Sequence, residues 1–158
     1  MIIAGTGHRP NKLGGYSDFA FDGLCEIIHD WLDENPRVEK IISGMALGWD
    51  TALADTAVVR GIPLVAAIPF VGQERMWPEK SKRVYDNLLG EASEVVVVSD
   101  GAYAPWKMQT RNAWMVDNCT HVLAMWDGSE GGTANCVKYA QSTGKPIINL
   151  WSPFREVE

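Results

Sequence analysis

The sequence has little of what membrane-spanning, disulfide-bonded or nucleic-acid-coating proteins require. Its three cysteines are odd in number and contain no Cys-x-x-Cys pair, which argues against a disulfide framework and a zinc site. No apolar run approaches the roughly 18 residues of a membrane span, and the first ten residues turn polar too early for a secretory signal. The net charge of -6 opposes a broad phosphate-binding surface. We expect a cytoplasmic protein without membrane segment, metal, cofactor or nucleic-acid partner.

Apolar runs alternate with segments of helical spacing along the whole chain. Hydrophobic residues fill 46% of the 158 positions, so we predict one domain, residues 1–158, with a sizeable core. The predicted strands are 1–4, 38–42, 64–68, 94–99, 122–126 and 146–150, and the predicted helices are 21–32, 51–60, 81–89, 108–118 and 134–143. Strands separated by helices form parallel sheets. The predicted fold class is therefore α/β, a single Rossmann-like, doubly wound domain with a mostly parallel sheet of about six strands flanked by helices.

Glycine-rich loops follow the first, second and fifth predicted strands, at 5–10, 43–50 and 127–133. Glycine lets a phosphate approach the backbone closely, and the free N–H groups of a helix start favour an anion. Thr133 and Asp50 are predicted to cap the helices that follow two of these loops. Because parallel strands end at one edge, the loops are expected to meet there. Tight turns that need glycine only for steric reasons are the alternative.

With these loops in view, the sequence resembles the SLOG superfamily, which contains the DprA/Smf proteins, the LOG nucleotide phosphoribohydrolases and the YpsA-like proteins. Ser43 to Asp50 look like the serine-glycine, glycine, aspartate loop of DprA and YpsA-like members. Met108, Arg111 and Asn112 look like the Met-x-x-Arg segment of LOG proteins. The opening GTGHRP and the later RNAWMVD look most like the YpsA-like branch.

The resemblance and the loops together give one predicted ligand site. Arg111 is expected to hold a phosphate, so that Arg111→Ala leaves the fold intact and weakens binding by about 1.5–3 kcal/mol. Trp77 is predicted either to cover a base or to be buried in a minor cluster. The predicted ligand-binding residues are Gly5, Thr6, Gly7, His8, Arg9, Ser43, Gly44, Met45, Ala46, Gly48, Asp50, Pro69, Phe70, Arg111, Asn112, Gly131, Gly132, Thr133 and Asn135.

Catalysis is left open because the acid of the hydrolytic relatives is missing. In LOG proteins a glutamate follows the glycine-threonine pair, where this chain has Asn135 and Cys136. Neither an amide nor a neutral thiol replaces a carboxylate in glycosidic cleavage. Arg111, Asp127 and Glu130 remain the catalytic candidates.

The resemblance implies a protein that binds a nucleotide or an ADP-ribose-like ligand, and that senses or sequesters it. An N-glycosidase or base-exchange enzyme is the alternative, and DprA-like binding of single-stranded DNA is a weaker one. Seven tryptophans exceed the needs of a core of this size, which favours a homo-oligomer.

Overall fold

The apolar runs form one sheet of six parallel strands in the computed structural model, which describes residues 1–157. The α/β class is confirmed. The strands are β1 (Ile2–Gly7), β2 (Lys40–Ser43), β3 (Leu64–Ile68), β4 (Glu94–Val97), β5 (His121–Met125) and β6 (Ile147–Asn149). The helices are α1 (Asp18–Glu34), α2 (Trp49–Val59), α3 (Glu79–Glu91), α4 (Pro105–Asp117), α5 (Gly132–Ser142) and α6 (Trp151–Val157), and a 3₁₀ turn covers Pro10–Lys12.

The strand order is β4-β3-β2-β1-β5-β6. The chain builds outward from β1 to β4 on one side and then returns to place β5 on the other side of β1. Ligands of open α/β sheets bind at such a reversal, outside the carboxyl ends of the strands. The topology therefore directs attention to the loops that follow β1 and β5.

Two apolar cores hold the helices to the two faces of the sheet. The larger core joins the sheet to α1, α2, α3 and α6, and the smaller one joins it to α4 and α5. Trp49 of α2 lies fully buried in the larger core, where its indole N–H donates to the carbonyl of Leu123 on β5 at 3.2 Å. The small residues of α2 pack closely: Ala52, Ala54 and Ala57 are all inaccessible to solvent.

Several element boundaries differ from those predicted. The Gly-Thr-Gly segment at the end of β1 belongs to the strand, because its pairing with β5 continues as far as Gly7 and Met125. Helix α4 begins at Pro105, three residues before the predicted start, since proline is well suited to the first helical turn. The short helix α6 was not predicted, because seven residues carry too little periodicity.

Two of the predicted helix caps are wrong. Gly131, not Thr133, precedes α5, and Gly48, not Asp50, precedes α2. Ser17 caps α1, where its hydroxyl accepts the N–H of Ala20 at 3.1 Å. Within residues 1–157 no helix is long and apolar enough to cross a membrane.

Candidate functional site

A cavity of about 320 Å³ opens at the carboxyl edge of the sheet, where the strand order reverses between β1 and β5. It is lined by the end of β1 and its following turn, by the loop after β2, by α4 and by the loop that leads into α5. The lining residues are Gly5, Thr6, Gly7, His8, Arg9, Asn11, Lys12, Ala46, Asp50, Met108, Arg111, Asn112, Ser129, Glu130, Gly131, Gly132 and Thr133.

Most of the predicted ligand-binding residues lie around this cavity. Their ligand contacts remain a prediction, but the structure brings their side chains or backbones together. Those that do not line the cavity are Ser43, Gly44, Met45, Gly48, Pro69, Phe70 and Asn135.

The β2 loop supports the cavity from behind. The Ser43 hydroxyl is fully buried, donates to the Asp50 carbonyl at 2.8 Å and accepts the Met45 N–H at 3.1 Å. Met45 has a positive φ of 62° with a buried side chain, a conformation that costs a non-glycine residue about 1 kcal/mol or more. Gly48 also has a positive φ, 88°, and lies so close to the β1 turn that a Cβ would meet the His8 carbonyl. These residues shape the loop and do not face the ligand space.

Gly44 separates a buried cation from a buried carboxylate. The Arg111 Nη1 donates to the Gly44 carbonyl at 2.5 Å and to the Ala67 carbonyl at 3.4 Å, and Nε donates to Asn112 Oδ1 at 2.9 Å. A Cβ on Gly44 would lie 2.7 Å from Arg111 Nη1 and 2.9 Å from Asp50 Oδ2. Only glycine lets these two charged groups approach the loop from both sides.

Arg111 lines the cavity and is also held by the protein's own backbone. It is 4% exposed, and Nη2 is the guanidinium nitrogen without a hydrogen-bond partner among the described residues. Burial raises the pKa of Asp50, while the neighbouring Arg111 opposes that shift and an N–H from Ala46 adds to the opposition. Burial likewise lowers the pKa of Arg111, with Asp50 opposing. Because of these contacts we expect Arg111→Ala to destabilise the fold, while the predicted effect on ligand binding stays a prediction.

The loop after β3 contributes to packing near the cavity without lining it. Phe70 is buried and packs edge-on against Tyr103 at 5.9 Å between ring centres. Trp77 is half-buried; it packs against the larger core and edge-on against Tyr85 at 5.3 Å between ring centres, and it does not line the cavity. Asn135 is exposed on α5, away from the cavity.

A polar bridge joins the turn after β1 to the loop after β5. Nζ of Lys12 lies 2.6 Å from the Ser129 hydroxyl and 3.3 Å from Asp127 Oδ2. His8 Nε2 lies 2.9 Å from Asp127 Oδ1 and 3.0 Å from the Asp127 backbone nitrogen. A neutral His8 ring with its proton on Nδ1 accepts that backbone N–H at Nε2, whereas a ring with a proton on Nε2 donates to the Asp127 carboxylate.

This bridge fixes the charge of Asp127. Hydrogen bonds from the Ser129 hydroxyl and backbone N–H, followed by the charge of His8, hold the pKa of Asp127 well below its usual range. Its carboxylate is occupied by Ser129, Lys12 and His8, and it does not line the cavity. A group held as an anion is a poor general acid. Of the two predicted loop carboxylates, only Glu130 lines the cavity.

The protonation of His8 gives a testable pH dependence. Burial lowers the pKa of His8 from 6.5, and the Asp127 carboxylate opposes this effect. As the pH falls, the unfolded chain takes up a proton at His8 before the folded chain does. The neutral ring therefore contributes to the free energy of unfolding above pH 6.5, and this contribution is lost as the pH falls below 6.5. NMR titration of the imidazole should give a midpoint below 6.5. Asp127→Asn should lower it further, and a midpoint above 6.5 would show that the carboxylate outweighs burial.

Helix α5 presents its N-terminus to the cavity without a side-chain cap. Gly131 precedes the helix, and Gly131, Gly132 and Thr133 all line the cavity. Among residues 1–157 no side chain hydrogen-bonds to the first helical N–H groups. A Cβ on Gly132 would meet no heavy atom within 4 Å, so the space in front of the helix is open. Unpaired N–H groups and the positive end of the helix dipole favour an anion there.

Four lining residues were missed by the sequence prediction: Asn11, Lys12, Met108 and Ser129. Met108 had a usable signal, since it lies three and four residues before Arg111 and Asn112, on one face of a helix. Lys12 and Ser129 are 117 residues apart, and nothing in the sequence shows that they meet.

Comparison with known proteins identifies the family. The family model described as the YspA SLOG family matches residues 3–147. The chain belongs to this family. The SPbeta prophage-derived protein YoqJ of Bacillus subtilis (strain 168) is 30% identical over an alignment of 138 positions that covers 77% of this chain and 80% of that protein. A UPF0398 protein of Bacillus pumilus is 28% identical over 94% of this chain and 87% of its own length. The resemblance to the SLOG superfamily is confirmed.

Solved structures with the same fold include DNA processing protein A (DprA) from two bacteria. The DprA protein of Streptococcus pneumoniae gives a TM-score of 0.68 at 21% identity, over 93% of this chain and 49% of that one. DprA of Helicobacter pylori, solved for its single-stranded DNA binding mode, gives 0.67 at 16% identity, over 94% of this chain and 64% of that one. This chain spans about half of the first protein and under two thirds of the second. At such identities the likeness concerns the fold.

Proposed function

We propose that the protein binds a nucleotide in the cavity between β1 and β5, with a phosphate at the N-terminus of α5, and that it senses or sequesters this ligand. The uncapped start of α5, opening into the cavity at the reversal of strand order, carries the proposal. Family membership is consistent with it.

The charge of the cavity supports an anionic ligand. Arg9, Lys12 and Arg111 line it together with the carboxylates of Asp50 and Glu130, so cations prevail there although the whole chain has a net charge of -6. Arg9 is exposed, and its guanidinium is suited to a phosphate. Lys12 already contacts Asp127 and can exchange that carboxylate for a ligand oxygen.

The volume of the cavity favours a small nucleotide. Ligand pockets commonly measure about 300–1,000 Å³, and this one measures about 320 Å³. A nucleoside monophosphate suits that space, whereas an ADP-ribose-like ligand would extend beyond its rim. Met108 gives the cavity an apolar wall on the side of α4, where a ribose or base can pack.

One observation favours an N-glycosidase as the second candidate. Glu130 lines the cavity and lies close in sequence to the proposed phosphate site. A carboxylic acid for glycosidic cleavage is therefore available, although Asn135, at the position of the glutamate in the hydrolytic relatives, is exposed and does not line the cavity.

The decisive experiment is calorimetry with a panel of nucleoside mono- and diphosphates, ADP-ribose and a single-stranded DNA oligonucleotide, with chromatography of each mixture for free base. We expect a mononucleotide to bind and to be recovered unchanged. Release of free base that Glu130→Gln abolishes, with binding retained, would establish the glycosidase instead. Binding of the oligonucleotide alone would overturn the proposal in favour of a DprA-like role.

Gly132→Val tests the position of the phosphate. The site of substitution is open, so the variant should fold, but a branched side chain at the first turn of α5 should obstruct the N–H groups and weaken nucleotide binding about 100-fold. Gly90→Val on α3 is the matched control, because a Cβ there also meets no heavy atom within 4 Å and Gly90 lies outside the cavity. Equal affinity of the two folded variants would place the phosphate elsewhere.

A further inference from the structure

Three buried side chains of the cavity each keep one polar atom unpaired. Asp50, Arg111 and Asn112 line the cavity and are 6%, 4% and 8% exposed, and we call them the inner polar group. Within residues 1–157, Asp50 Oδ1, Arg111 Nη2 and Asn112 Nδ2 have no hydrogen-bond partner. The buried atoms that are both unpaired and sealed from solvent belong to Thr56 and Glu74, so these three atoms are open to the cavity. Buried polar atoms are normally paired, which makes these three candidates for contacts with a ligand.

The contacts within this group determine what each free atom offers. Arg111 Nε donates to Asn112 Oδ1 at 2.9 Å, so the Asn112 amide presents its Nδ2 donor to the cavity. Arg111 Nη2 is a second donor, and Asp50 Oδ1 is an acceptor. Arg111 Nη1 and Asp50 Oδ2 lie 2.7 Å and 2.9 Å from the point that a Cβ on Gly44 would occupy, so the two opposite charges are close together. The group therefore offers two donors and one acceptor with little net charge.

The inner polar group lies deeper in the cavity than its apolar wall. Helix α4 connects two parallel strands, so it runs from the carboxyl edge of the sheet, where the cavity opens, back toward the amino edge. Arg111 and Asn112 follow Met108 by three and four residues on one face of α4, about one helical turn or ~5 Å further from the mouth. Met108 is the one large apolar side chain among the described lining residues. The apolar contact that a base needs is therefore available near the mouth, and the inner end is polar.

A pair of neighbouring hydroxyls suits the inner polar group better than an anion does. A hydroxyl both donates and accepts, so a vicinal diol can donate to the Asp50 carboxylate and accept from Asn112 Nδ2 and Arg111 Nη2. A phosphate mainly accepts, and the Asp50 carboxylate would repel it. In a nucleotide the ribose links the phosphate to the base. With the phosphate at the start of α5 and the base against Met108, the ribose lies between them and its hydroxyls can face the inner polar group.

We propose that Asp50, Arg111 and Asn112 bind the 2′ and 3′ hydroxyls of the ribose, so that the cavity selects ribonucleotides over deoxyribonucleotides. This role depends on the nucleotide site proposed above and assigns a part of the ligand to each end of it. A site whose buried polar groups pair with a hydroxyl rejects the analogue that lacks the hydroxyl, because those groups are then left unpaired.

Calorimetry with matched pairs of ligands tests this selectivity on the unmodified chain. The 5′-monophosphates of adenosine, guanosine, cytidine and uridine are each compared with their 2′-deoxy and 3′-deoxy forms, and ribose 5-phosphate with 2-deoxyribose 5-phosphate. We expect the deoxy forms to bind about 10- to 100-fold more weakly, the effect of losing one hydrogen bond to a charged group. Equal binding within the pairs would overturn the ribose contact and leave the nucleotide site standing. If none of these phosphates binds, the nucleotide site and the ribose contact both fail.

Asn112→Ala tests whether the inner polar group causes the preference. The change removes the Nδ2 donor, and a water molecule in the cavity can replace Oδ1 beside Arg111 Nε, so the preference for the ribose forms should fall about tenfold. Asn87→Ala on α3 is the matched control, because Asn87 is exposed and lies outside the cavity, and it should keep the preference of the unmodified chain. Circular dichroism establishes that both variants are folded. A preference that survives in folded Asn112→Ala would show that the hydroxyls bind elsewhere.

Discussion

Replacement of Arg111 by alanine is expected to destabilise the folded protein by about 3–5 kcal/mol, the range for breaking a buried charge pair by removing one partner. The guanidinium holds two backbone carbonyls, those of Gly44 and Ala67, and faces Asp50 across the β2 loop. Without Arg111 the Asp50 carboxylate stays buried, with the Ala46 N–H and the charge of Arg9 as its remaining support. Urea denaturation of the variant measures the loss directly.

Two matched variants separate this effect from a general loss of charge. Arg9→Ala removes an exposed arginine of the same cavity and should change stability by less than about 0.5 kcal/mol, because the attraction of Arg9 to Asp50 is offset by its repulsion of Arg111. Adding Asp50→Asn to Arg111→Ala should recover about 1–3 kcal/mol, because the remaining buried group no longer carries a charge. If Arg111→Ala instead unfolds like the unmodified protein and only loses nucleotide affinity, Arg111 is a ligand residue, as its position in the sequence first indicated.

The sheet and the location of the cavity could be predicted because they depend on local patterns. The run Val122–Trp126 has no polar alternation, and β5 proved to be buried on both faces apart from its first residue. Loops after parallel strands emerge at one edge, so the expectation that the three loops meet there followed from the parallel arrangement alone. The partners of Lys12 could not be predicted, since its contacts with Asp127 and Ser129 bring together residues more than one hundred positions apart.

The glycines show most clearly what the sequence leaves undecided. A glycine that admits a ligand and a glycine that admits a neighbouring side chain look the same in the sequence. In the structure Gly132 faces open space, whereas a Cβ on Gly5 would collide with Leu53 and one on Gly7 with Trp49. The Gly-Thr-Gly segment that suggested a phosphate loop therefore serves first to let α2 approach β1.

Gly7→Ala is expected to destabilise the protein by about 3 kcal/mol, at the upper end of the range for overpacking a core. The added Cβ would lie 2.5–2.6 Å from three atoms of Trp49, which is itself inaccessible to solvent. Trp49 has little freedom to move, because its indole N–H is bonded to Leu123 on β5 and its backbone N–H to the His8 carbonyl. Thermal and urea unfolding both report this loss.

Gly132→Ala is the internal comparison, because both glycines line the same cavity and only Gly7 packs against a core side chain. Gly132→Ala should leave stability unchanged or slightly raised, since alanine favours the helix by up to about 1 kcal/mol over glycine. Adding Trp49→Leu to Gly7→Ala should cost less than the sum of the two single changes, because the smaller side chain leaves room for the new methyl group. Two outcomes would contradict this close packing of β1 against α2: equal stability of Gly7→Ala and Gly132→Ala, or effects of the Gly7 and Trp49 changes that simply add. In either case the glycines of β1 would again be interpreted as contacts for a phosphate.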